Sequence, residues 1–167
     1  MREEILALLE QNSEIEIDEI IKILNKKGFK NLNPHNIKDE IKRMKDEEII
    51  CGYSAIINWD RTEKSFVTAL IEVQVTPQRG DGFDRIAERI LCFPEVKSVY
   101  LMSGRFDLTV IVEGKDIKEV AFFVSDKLST INSVIGTSTH FVLKNYKDHG
   151  IVMGKNKKLD ERMIVSL

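Results

Sequence analysis

Apolar Ile5, Leu8 and Leu9 occupy positions i, i+3 and i+4, predicting a first amphipathic helix from Arg2 to about Gln11. Asn12-Ser13 interrupts it. Ile17, Ile20, Ile21 and Leu24 restore the pattern and carry a second helix to about Lys27, with Gly28 placed to cap its C-terminus. Asn33 then stands before Pro34, which is an N-cap residue followed by proline at the first helical position. Ile37, Ile41 and Met44 continue at steps of four and three, so a third helix runs from Pro34 to about Glu47. If that stripe faces the first two helices, Lys38, Lys42 and Lys45 point outward with Arg43 beside them.

Beyond Ile49 the period changes. Ile50 to Ile57 reads as a strand leaving the helical unit, and Asn58 to Lys64 as a polar link in which Trp59 serves as a packing anchor. Val67 to Val75 predicts a strand, stopped by Pro77 and Gly80-Asp81-Gly82. Phe83, Ile86, Ala87, Ile90 and Leu91 predict a helix that ends near Pro94. Strands follow at Val96 to Met102 and Phe106 to Val112, joined by a turn at Ser103-Gly104-Arg105. Ile117, Val120, Ala121, Val124 and Leu128 predict a helix with Asp116 as its N-cap, and Val134 to Tyr146 a last strand. The order β-α-β-β-α-β is the ferredoxin-like split motif, an antiparallel sheet with two helices on one face. The fold class is therefore α+β, a three-helix head followed by a ferredoxin-like domain. Val67, Leu70, Val73, Tyr100, Met102, Phe141 and Leu143 are expected on the uncovered face, and an uncovered apolar face favours self-association.

Composition narrows the class. Across 167 residues, 43% are hydrophobic, 31% are charged and the net charge is −2, an ordinary globular balance. Apolar runs reach only five residues, as in Val120–Val124, against about 20 for a membrane span. The opening Met1-Arg2-Glu3-Glu4 lacks the basic-then-apolar order of a signal peptide, so a cytoplasmic location is expected. Cys51 and Cys92 cannot form a disulfide framework or a four-ligand zinc site, and their apolar neighbours suggest buried thiols. His35, His140 and His149 share no metal-ligand spacing; no metal or cofactor is expected. Charge is uneven along the chain. Residues 1–21 hold one cation against seven acids, whereas residues 22–45 hold eight cations against two acids. Such a basic block is either a solvated helix face or a phosphate-facing surface. Three short helices with the basic face on the third fit a helix-turn-helix DNA reader, a layout that other small helical bundles share.

Several phrases carry a resemblance: Glu48 to Ile57, Val67 to Val73, Phe93-Pro94-Glu95-Val96, Met102-Ser103-Gly104-Arg105-Phe106-Asp107-Leu108, and Thr137-Ser138-Thr139-His140-Phe141-Val142-Leu143. In this order they resemble the Lrp/AsnC (feast/famine) transcriptional regulators. The resemblance implies a helix-turn-helix domain over residues 1–50, a linking strand and hinge over 51–66, a ligand-sensing and oligomerisation domain over 67–147, and a tail over 148–167. It also implies double-stranded DNA as a partner, assembly into dimers and then tetramers or octamers, and an amino acid or related metabolite bound between dimers. The chain departs from the family's pattern in a longer turn over residues 25–32, in Asp39-Glu40 where basic residues are usual, and in the charged Arg105. An acid pair on the third helix would repel phosphate.

Candidate DNA contacts are Asn33, His35 and Asn36 at the start of the third helix and Lys38, Lys42 and Arg43 along it. Lys26, Lys27 and Lys30 could meet the flanking backbone, and Asn33 also suits plain N-capping. Candidate effector contacts are Ser103, Gly104, Arg105 and Asp107 at the turn with Thr137, Ser138 and Thr139 on the last strand. Glycine exposes backbone N–H groups to a carboxylate, Asp107 suits an ammonium group, Arg105 suits a second carboxylate, and the hydroxyls fix orientation. The turn also stands as simple hairpin chemistry. No nucleophile–base pair, paired carboxylates or phosphate loop is visible, so an enzyme is not expected. Two other readings are a metabolite sensor without DNA binding and an enzyme similar to the sirohaem decarboxylases, the latter kept open by His140, which shares a strand face with Ser138. Residues 148–167, ending Met163-Ile164-Val165-Ser166-Leu167, read as either a strand for a neighbour's sheet edge or a frayed tail.

Overall fold

A computed structural model describes residues 1–76 and 82–154. They form two compact units, Met1–Ala55 and Ile56 onward. In the first unit lie α1 (Arg2–Gln11), α2 (Ile17–Lys26) and α3 (Pro34–Asp46). Ile5, Leu9, Ile20, Leu24, Ile37 and Met44 make its core. Gly28, at φ +93°, closes α2: the Phe29 N–H reaches back to the Leu24 carbonyl at 3.1 Å, a geometry that glycine adopts without Cβ strain. Asn33 caps α3 by accepting the Asn36 N–H at 2.8 Å, with Pro34 following as the sequence predicts.

The second unit holds β1 (Val67–Val75), α4 (Asp84–Leu91), β2 (Val96–Leu101), β3 (Leu108–Gly114), α5 (Ile117–Phe122) continued by a π-helical turn over Phe123–Leu128, and β4 (Val134–Phe141). All pairs in the sheet are antiparallel, in the order β2-β3-β1-β4, which is the ferredoxin-like arrangement. Asp116 caps α5 by accepting the Glu119 N–H at 2.9 Å. Gly114 ends β3 directly beneath α5, where an added Cβ would come within 3.0 Å of the Val120 side chain. The core gathers Ala69, Ile71, Val73 and Val75 from β1 with Leu108, Val110 and Val112 from β3, covered by Ile86, Ile90, Val120, Phe123 and Leu128. A short hairpin of β5 (Lys147–Asp148) and β6 (Ile151–Val152) follows.

Several expectations are corrected. Residues 51–58 join no ladder among the described residues, because the helical unit they leave offers no strand to pair with. The last sheet strand stops at Phe141 rather than Tyr146, and the chain then turns into the hairpin. Val73 is fully buried beneath the helices, and Val67 and Phe141 pack on the same core, so none of the three belongs to the open face. The two-residue period leaves no alternative, since Val67, Ala69, Ile71 and Val73 must share one side of β1. The open face is instead mixed, with Leu70, Glu72, Ile111, Tyr100, Ser138 and His140. Cys51 and Cys92 are exposed, each bonding the carbonyl of a residue one turn earlier (Glu48 and Glu88), which keeps the sulfur along its own backbone and away from either core. Trp59 packs edge-on against Phe66 at 5.8 Å, with the Lys64 ammonium 4.5 Å from its ring centre. Pro77, Gly80, Asp81 and the apolar stretch Met163–Leu167 lie outside the described residues.

Candidate functional site

The basic face begins with how α3 is held. Ile37, Glu40 and Met44 are its buried positions. Glu40 is therefore turned inward: its side chain is 11% exposed and pairs with the Arg2 guanidinium, while Arg43 stands 3.6 Å away. This corrects the expected acid pair on the outer surface, because an inward carboxylate bound by arginine does not oppose a phosphate. Asp39 is the half that stays outside, 3.2 Å from the His35 ring one turn earlier. Lys38, Lys42, Arg43 and Lys45 lie away from that buried side, with Asn33, His35 and Asn36 at the helix start. Asn33 spends its side-chain oxygen on the cap, which leaves its amide NH2 outward. Arg2 also grips Glu47, whose carboxyl is held below the usual glutamate range first by that hydrogen bond. Arg2 thereby ties α1 to the buried middle of α3 and to the exposed residue that caps its C-terminus, a partner set that no local pattern in the sequence announces.

The second candidate site lies where the β2–β3 turn meets the end of β1. Met102 N–H donates to the Asp107 carbonyl at 2.8 Å, and Asp107 N–H donates to the Val73 carbonyl at 3.0 Å. The Asp107 carboxylate accepts the Val75 N–H at 2.8 Å. Asp107 thus extends the β1–β3 ladder past its last paired residues, and one carboxylate oxygen is committed to that task. Ser103, Gly104 and Arg105 are exposed, and the Arg105 guanidinium sits 5.7 Å from the Phe106 ring centre. Among the described residues nothing lies within 4 Å of where a Cβ on Gly104 would be, so its backbone is open to an approaching group.

On β4 the three hydroxyls divide between two faces. Thr137 pairs opposite Val73 and Thr139 opposite Ile71, which places both on the helix-covered side. Ser138 faces the other way with His140. The Ser138 hydroxyl lies 3.2 Å from His140 Nε2, and the same nitrogen lies 3.2 Å from the Glu72 carboxylate. Both contacts use one ring nitrogen, so the trio lacks the two-sided imidazole that relays a proton from serine to carboxylate. Among the described residues no group of three or more His, Cys, Asp or Glu side chains could hold a metal ion, and no helix is long and apolar enough to cross a membrane.

A capped helical trio with an outward basic face, followed by a ferredoxin-like sheet domain with an open turn, is the layout expected of a DNA-binding regulator with a ligand-sensing domain. Comparison with known proteins agrees. The Lrp/AsnC ligand binding domain profile matches residues 68–152. The uncharacterized HTH-type transcriptional regulator YugG of Bacillus subtilis is 45% identical over 164 residues, covering 98% of this chain and 95% of its own. The Bkd operon transcriptional regulator of Pseudomonas aeruginosa is 30% identical over 105 residues, 63% of this chain and 68% of its own. Among solved structures, a Neisseria meningitidis transcriptional regulator in complex with L-methionine superposes with a TM-score of 0.66 at 22% identity, over 89% of this chain and 92% of the other. AsnC of E. coli superposes with a TM-score of 0.61 at 20% identity, over 86% and 91%. The chain belongs to the Lrp/AsnC family of DNA-binding transcriptional regulators.

Proposed function

We propose that the chain reads double-stranded DNA with α3 and answers to an amino acid or related carboxylate held at the 103–107 turn between dimers, within a cytoplasmic oligomer. The outward row of Lys38, Lys42 and Arg43, opposite a buried Ile37-Glu40-Met44 side, is the observation that carries this reading. Lysine and arginine release counterions from phosphate, while Asn33, His35 and Asn36 at the helix start offer short polar groups to base edges. With Glu40 drawn into the Arg2 pair, the chief objection to phosphate binding falls to Asp39 alone. Replacing Lys38, Lys42 and Arg43 together by alanine weakens binding to genomic DNA fragments and lowers the salt slope by about one for each phosphate no longer neutralised. An unchanged salt slope in that variant would overturn the placement.

For the effector, the open Gly104 backbone suits a carboxylate and the second oxygen of Asp107 suits an α-ammonium group. Thr137 and Thr139 share a face and can act together, while Ser138, with its neighbours His140 and Glu72, serves the other side of the sheet. Ser103 and Arg105 would border the ligand, with Arg105 favouring one that bears a second acid. The informative variant is Asp107→Asn, which keeps an acceptor for the Val75 N–H and removes only the charge. A thermal-shift screen of the twenty amino acids should find a stabilising one for the wild-type chain and lose that shift in Asp107→Asn. Equal shifts in both would place the effector elsewhere.

A further inference from the structure

The outward side of α3 has a finer pattern than a uniform row of cations. At about 100° per residue, His35, Asp39, Lys42 and Asp46 fall in one row along the helix, opposite the buried Ile37, Glu40 and Met44. Lys38 and Lys45 flank that row on one side, and Asn36 and Arg43 on the other. Lys45 lies over the Tyr53 ring at 4.8 Å, and Arg43 leans to Glu40 at 3.6 Å. Cations thus border the face, while a half-exposed carboxylate, Asp39, stands on its centre line. Among the described residues its partner is the His35 ring, whose Nε2 lies 3.2 Å from one carboxylate oxygen. The second oxygen is left for another donor.

An exposed pair of this spacing ordinarily adds a little helix stability. Here, however, the order is the weaker one, since an acid is better placed N-terminal to its cationic partner and Asp39 follows His35. A helix laid in the major groove turns its borders to the phosphates of the two strands and its centre line to the base edges. A carboxylate on a border opposes phosphate, whereas one on the centre line meets the bases. The amino groups of cytosine and adenine are the donors there. Adenine sets its amino group beside the N7 acceptor, which repels a second carboxylate oxygen, and cytosine N4 has no such neighbour on its own base. Asp39 lies about 7–8 Å along the axis from Pro34, in the half of the helix that enters the groove. Asp46, about 18 Å along, lies at the far end.

On the reading of α3 as the DNA-contacting helix, on which this depends, we propose that Asp39 is a specificity-determining residue that accepts a hydrogen bond from a cytosine N4 amino group. The test uses the full chain and a library of random-sequence duplexes, from which bound fragments are selected and sequenced. The preferred duplex is then titrated with each base pair in turn at the fixed position. The wild-type chain should select a fixed C·G pair and lose affinity at least about fivefold when that pair is replaced. Asp39→Ala should bind all four pairs there equally well. Asp39→Asn should turn the preference to A·T, because a carboxamide bonds adenine N6 and N7 together. Asp46→Asn removes the same charge from the same row and should keep the wild-type preference. Wild-type base preference in both Asp39 variants would overturn the proposal, as would a wild-type selection with no fixed C·G pair. The Lys38, Lys42 and Arg43 triple variant separates the two readings. If its salt slope falls while the Asp39 variants keep their preference, α3 remains the reader and only the role of Asp39 is lost.

Discussion

Among the described residues, the helical unit buries six apolar side chains and then ties its surface with ions, Arg2 to Glu40 and Glu47 and Lys27 to Glu4. The sheet unit buries thirteen, and β1 is paired on both sides, with β3 over Val67–Val73 and with β4 over Ala69–Val75. A domain of about 55 residues is close to the size where a single core barely suffices, so each of its six core side chains matters more. The difference teaches where each unit fails first: the head through its small core and its charges, the sensor through its ladder ends.

The sharpest way to break that comparison is a core truncation in each unit. Leu24→Ala removes a fully buried side chain from the small core at a cost of about 2–5 kcal/mol, which should unfold the head while the sheet stays intact. Ile71→Ala costs a similar amount in the larger core, yet should leave that unit folded at about 25 °C. Two-stage thermal melting followed by circular dichroism tells the cases apart. A single shared transition in both variants would show that the units do not melt separately.

Next comes the ladder end. Asp107→Ala leaves the part-buried Val75 N–H without its acceptor and should destabilise the sheet unit by about 1–3 kcal/mol, with Asp107→Asn close to wild type. Hydrogen exchange at the Val75 amide reports this directly.

Each unit holds a carboxylate whose pairing makes it sensitive to acid. The Arg2 hydrogen bond holds Glu47 below the ordinary glutamate value of 4.5, and the Lys127 hydrogen bond does the same for Glu95. A depressed carboxyl stabilises the fold above its unfolded pKa, and that contribution disappears as pH falls through the lower folded value. Stability should therefore drop below about pH 4.5 in both units, and Glu47→Gln should flatten the drop in the head alone. Melting at neutral pH and at two acid values on either side of that threshold provides the check.

The smallest effect should be a gain. Glu48 sits at φ +57° just past α3, where the Ile49 N–H returns to the Met44 carbonyl at 2.9 Å. Glu48→Gly should stabilise the head by about 0.5–1 kcal/mol by relieving the left-handed backbone. An unchanged denaturant midpoint would show that the position carries no strain.

What could be read from the sequence was local. Asn33 and Asp116 are visible as caps because each bonds a backbone N–H three residues on, and the helix and strand periods place most elements within a residue or two. What could not be read was set by distant partners. Glu40 looks like an outward acid until Arg2, 38 residues away, is seen to hold it. Asp107 looks like a free counter-charge until the Val75 N–H, 32 residues away, claims one oxygen. Thr137, Ser138 and Thr139 look like one cluster of hydroxyls, although the strand period alone divides them between two faces.

The two exposed thiols have a practical consequence. The chain contains only two cysteines, and Cys51 lies in the helical unit while Cys92 lies at the end of α4 in the sheet unit. They form a natural donor–acceptor labelling pair that requires no engineered attachment points. Trp59, the single tryptophan, sits in the segment between them as an intrinsic fluorophore. Single-molecule energy transfer on the unmodified sequence could thus follow head against sensor in real time, with DNA or each amino acid added in turn.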